Sequence, residues 1–71
     1  MLLQRSEAFY ERKLSAYFHH FYGEYEDTAE YYVNPNVNQW KFVIPELNML
    51  VELTCYDDGH IVDKRKYYEK K

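Results

Sequence analysis

The sequence predicts an α+β fold, one N-terminal helix packed on a small antiparallel sheet of three strands with room for a fourth. Two observations carry this. Apolar and aromatic residues recur at helical spacing as far as Tyr25, and from Gln39 onward the period changes to two. The period-two segments are separated by turn chemistry, Pro45-Glu46-Leu47-Asn48 and Asp57-Asp58-Gly59, which suits a meander of neighbouring strands. The 71 residues are expected to form a single domain over 1–71. A chain of this size buries only about 60% of the surface it exposes unfolded, so modest stability is expected.

At about 100° per residue, Leu3, Tyr10, Leu14, Tyr17, Phe18, Phe21, Tyr22 and Tyr25 share one arc of a helical wheel, which predicts a helix over 3–22. Ser6 gives an indifferent start signal. Gly23 is expected to end the helix in the left-handed conformation that glycine adopts freely. His19 and His20 fall on the outer side, and Phe9 lies opposite the core arc among Arg5, Arg12 and Lys13.

Residues 23–38 form an acidic, tyrosine-rich connection. Asp27 with Glu30 resembles a capping box, but the run Glu30-Tyr31-Tyr32-Val33 before Asn34-Pro35 favours a strand. The meander follows over 39–68, with strands at 39–44, 49–56 and 60–67. Trp40, Phe42 and Ile44 share one face, as do Met49, Val51, Leu53 and Cys55. The expected core is Leu14, Phe18, Phe21, Trp40, Phe42, Val51 and Leu53. A two-residue Asp58-Gly59 turn would set Glu52 opposite Arg65 and Thr54 opposite Asp63, whereas a three-residue turn would set Glu52 opposite Lys64.

No arrangement of residues points to catalysis, and no cofactor or metal is expected. Adjacent helical positions diverge by about 100°, so His19 and His20 cannot share a metal. Cys55, Asp57, Asp58 and His60 are close in sequence, yet Asp-Asp-Gly is what a tight hairpin requires. A single cysteine excludes a disulfide framework and suits the cytoplasm. No apolar run is long enough to cross a membrane.

The net charge of -3 hides a segregation along the chain. Residues 24–58 hold Lys41 against eight acids, and residues 59–71 hold five basic groups against two acids. Glu24, Tyr25, Glu26, Asp27, Glu30, Tyr31 and Tyr32 are accordingly the first candidates for binding another protein with a basic surface, through charge-assisted hydrogen bonds and cation–π contacts. The resulting expectation is a small non-catalytic protein-binding module, a regulator or inhibitor of a larger protein, of a kind in keeping with phage or mobile elements. The alternative is nucleic-acid binding by Lys64, Arg65, Lys66, Tyr67 and Tyr68, a mixture that could follow phosphates and stack bases. Phe9, Val43, Leu50 and Tyr56 point away from the expected core, which predicts a homodimer.

Overall fold

The computed structural model describes residues 6–32 and 36–68. Helix α1 (Glu7–Tyr22) lies across one face of a four-stranded antiparallel sheet made of β1 (Glu30–Tyr32), β2 (Gln39–Ile44), β3 (Met49–Cys55) and β4 (Ile61–Tyr67), in the order β1-β2-β3-β4. The predicted fold class is the observed one, and the expected fourth strand is present.

Ser6 is extended rather than helical, and its hydroxyl accepts the Phe9 N–H at 3.3 Å, so the helix starts after Ser6 and not at residue 3. Leu3 lies outside the described residues. Gly23 is right-handed, at φ -56° and ψ -33°, and the chain continues through it into a 3-10 turn (Gly23–Tyr25). The left-handed stop expected at Gly23 is therefore absent. Asp27 does not cap a new helix; the chain turns there on the Tyr25 carbonyl, which accepts the N–H groups of Thr28 and Ala29.

The helix buries Tyr10, Leu14, Phe18 and Tyr22 against Phe42, Ile44, Met49, Val51, Leu53 and Cys55. Phe21, expected in the core, is 51% exposed, and Trp40 is only half-buried. The buried helical residues follow a strict spacing of four, a ridge that winds by roughly 40° per step around the helix. Contact with the sheet thus moves around α1 along its length, and by its last turn has left Phe21 behind. Phe21 instead packs on Tyr17 and His20, each at 4.5 Å between ring centroids.

Between β2 and β3 a 3-10 turn (Pro45–Leu47) ends on Asn48, whose φ of 50° is the left-handed conformation that asparagine tolerates. Between β3 and β4 the pairing sets Glu52 opposite Lys64 and Cys55 opposite Ile61, which is the three-residue alternative. Gly59 alone is left-handed there, at φ 92°, with its N–H donated to the Tyr56 carbonyl at 2.8 Å. A two-residue turn would need positive φ at Asp58 as well, a cost the glycine-only turn avoids. The hairpin tip packs on α1: a side chain added at Gly59 would lie 3.7 Å from Phe9. Phe9 is consequently half-buried against the core, not exposed opposite it.

This register decides which way β4 points. Asp63 and Arg65 face the helix, and Lys64 and Lys66 face the open side of the sheet. Asp63 is nearly covered and accepts the hydroxyls of Tyr17 at 2.9 Å and Tyr22 at 2.6 Å. The Arg65 guanidinium sits 3.3 Å from the same carboxylate and 5.3 Å from the centre of the Tyr22 ring.

Candidate functional site

Where the last turn of α1 passes β1 and the start of β2, a groove of about 390 Å³ opens to solvent, and Phe18, Glu26, Tyr31, Val37 and Trp40 are among its lining residues. Strand alternation builds it. Tyr31 stands opposite Phe42 on the core face, and Trp40 stands opposite Leu53 on the same face, two positions from Phe42 along β2. Phe18 rises from the helix between them, with its ring centre 5.7 Å from Tyr31, 6.3 Å from Trp40 and 5.0 Å from Phe42.

Tyr31 and Trp40 meet nearly at right angles, 86° at 6.4 Å, and form a two-walled aromatic corner with Phe18 at its base. Tyr31 is 51% exposed despite these contacts, so part of its ring is open to solvent. Partial burial and the Glu26 carboxylate both raise the Tyr31 hydroxyl above its ordinary range, which keeps it a neutral donor. His19 Nδ1 stands 3.9 Å from Glu26. Lys41 also reaches the groove, but its ammonium is paired with Glu52 at 3.4 Å. The corner offers ring faces and a carboxylate in one opening, an environment that suits a cationic side chain.

The seven acidic and tyrosine residues singled out in the sequence do not form one surface. Glu26 and Tyr31 belong to the groove, with Tyr32 at its rim. Tyr25 is half-buried against the core, and Glu24 and Asp27 are exposed on the turn beside it. Glu30 and Tyr32 point to the opposite face of the sheet, since they flank Tyr31 on the same strand. The basic group is divided in the same way: Lys64 and Lys66 occupy the open face, and Arg65 is engaged with Asp63 and Tyr22. Tyr67 and Tyr68 are both exposed.

Phe18, Val37 and Trp40 are groove residues that the sequence did not mark as functional. Trp40 and Phe18 show the same periodicity as the core, and nothing in the pattern tells a lining aromatic from a buried one. Among the described residues no three His, Cys, Asp or Glu side chains gather as metal ligands. Cys55 is fully buried and its thiol pushed up by burial, whereas His60 is exposed, stacked on Tyr56 at 4.6 Å. Among the described residues no helix is long and apolar enough to cross a membrane.

No protein-family model matches the chain, and no curated protein or solved structure is significantly similar to it.

Proposed function

We infer that this chain is a small non-catalytic protein-binding module which regulates or inhibits a larger protein by accepting a basic side chain into the acidic aromatic groove. The observation that carries the reading is the perpendicular Tyr31–Trp40 corner with Glu26 at its edge. Aromatic anchors concentrate binding energy, and neighbouring carboxylates on the turn, Glu24 and Asp27, would steer a cationic partner toward them. A buried free thiol at Cys55 is compatible with action in the cytoplasm, and a short regulatory chain of this kind fits a phage or mobile-element origin.

The chain's only tryptophan lies in this groove and reports on it directly. Titration with an arginine-rich peptide should change the Trp40 emission, and an acidic peptide of equal length should not. Glu26→Lys with Asp27→Lys, or Tyr31→Ala, should abolish the response while leaving the melting temperature within a few degrees. An unchanged response in those variants, or one lost only in Lys64→Ala with Lys66→Ala, would sink this assignment. Capture from the native host with the same variants as controls would then identify the partner.

The nucleic-acid reading has one observation in its favour, the gathering of Lys41, Lys64 and Lys66 on one face. Glu30 and Glu52 share that face, and Arg65 has left it.

A further inference from the structure

The sheet face opposite α1 carries two complete cross-strand rows. Register places Glu30, Val43, Leu50 and Lys66 side by side across the four strands, and Tyr32, Lys41, Glu52 and Lys64 in the adjacent row. Both rows point away from the helix, because the residues between them on β2 and β3 form the core. The first row runs from an acid on one edge, through two apolar residues, to a base on the other. The second runs from an aromatic ring, through a base and an acid, to a base. Among the described residues Glu30, Lys64 and Lys66 make no ion pair.

We propose that this face docks against the same face of a second copy of the chain, about a two-fold axis parallel to the strands and centred between β2 and β3. That operation lays β1 over the partner's β4 and β2 over the partner's β3. Glu30 then meets the partner's Lys66, Val43 meets the partner's Leu50, Tyr32 meets the partner's Lys64, and Lys41 meets the partner's Glu52. The opposed pairs are complementary, two kinds of ion pair and a cation–π contact; the central Val43–Leu50 pair adds little, because Val43 is only 8% exposed and already covered within its own chain. The Lys41–Glu52 pair already present at 3.4 Å in each chain becomes part of a ring of four alternating charges. Turning the axis across the strands instead would set Lys64 against the partner's Lys66 and Leu50 against the partner's Glu52. Charge pattern therefore selects one orientation, and it is the aligned face-to-face arrangement in which sheets commonly pack.

The contact is small. Four strands about 4.8 Å apart and two rows about 7 Å apart give roughly 270 Å² per chain, about a third of what a stable complex usually buries. The dimer is weak, and it has a polar perimeter that salt will loosen. This face shares Tyr32 and Lys41 with the groove, but the deciding Glu30 and Lys66 lie outside the groove lining, so the dimer stands whether or not the groove binds a partner.

Sedimentation from micromolar to millimolar concentration at low salt tests the proposal. Wild-type chain should pass from monomer to dimer, and E30K and K66E should each remain monomeric across the range. Mixing E30K with K66E should restore a heterodimer, because each contact then regains one acid and one base; the E30K/K66E double variant should restore the homodimer. Those two rescues also exclude misfolding as the cause of the single-variant loss. A wild-type monomer at every concentration, a dimer indifferent to both reversals, or a loss that mixing does not repair would each overturn the assignment. Binding of a single-stranded oligonucleotide to a wild-type monomer, lost in K66E, would overturn it in favour of nucleic acid.

Discussion

Phe21 and Phe42 are chemically the same side chain with opposite standing. Phe42 is fully buried and touches Phe18, Tyr22 and Tyr31, whereas Phe21 is half in solvent beside Tyr17. Replacing Phe42 by Ala should cost about 3–5 kcal/mol, most of the stability of a domain this size, and should leave the chain largely unfolded at room temperature. Phe21→Ala should cost no more than about 1 kcal/mol, since little is uncovered by removing it. Urea denaturation of the two variants measures the contrast, and equal losses would contradict the assignment of the core. A helical wheel could not separate Phe21 from its buried neighbours Phe18 and Tyr22. It collapses the helix along its axis, and what distinguishes Phe21 is where along that axis the sheet passes.

At the scale of elements, the strand positions were legible from alternation and turn chemistry, because both are properties of a few consecutive residues. The β3–β4 register was legible only as two alternatives. They differ in whether Asp58 must take positive φ, and the structure adopts the one in which Gly59 alone does so. The groove was not legible at all, since it depends on β1 pairing with β2 and so on contacts between separate segments. α1 ends at Tyr22 as expected, but the conformation at Gly23 differs from the expected one, because glycine permits a left-handed stop without requiring it. The chain runs on into a 3-10 turn that holds Tyr25, with Ala29 after it, against the core. Right-handed Gly23 has open space where a side chain would go. Gly23→Ala should therefore stabilise the protein by about 0.5–1 kcal/mol by restricting the unfolded chain, and a loss of stability would mean that the glycine turns left after all.

Across the molecule, two carboxylates tie the helix to the sheet: Asp63 beneath Tyr17 and Tyr22, and Asp57 in the β3–β4 turn, which accepts the Tyr10 hydroxyl. The Tyr17 and Tyr22 hydroxyls are raised above the ordinary value of 10.0, first by burial and then by Asp63. A raised folded value means that the neutral phenol is favoured in the folded state. The associated stability is complete below about pH 10 and is lost as pH climbs beyond it, because the unfolded phenols ionise first. Alkaline unfolding should begin above about pH 10, and Tyr17→Phe with Tyr22→Phe should lower stability across the neutral range while flattening the alkaline limb. Absorbance at the phenolate band, followed alongside circular dichroism, distinguishes this from simple titration of the exposed tyrosines.

The strand order β1-β2-β3-β4 also bears on how fast the chain finds its structure. Each strand pairs with its neighbour in sequence, so the sheet assembles by closing short loops, for which the entropy cost is small. The packing of α1 on the sheet is the long-range exception, with hydroxyl contacts to Asp57 and Asp63 that span 47, 46 and 41 residues. On this topology the helix settles onto an already formed meander late in folding. Asp63→Ala should then accelerate unfolding in proportion to the stability lost, about 2 kcal/mol or some thirtyfold, and leave the refolding rate nearly unchanged. Stopped-flow kinetics across a denaturant series would show the shift in the unfolding limb alone; a slowed refolding limb would place the helix in the nucleus instead.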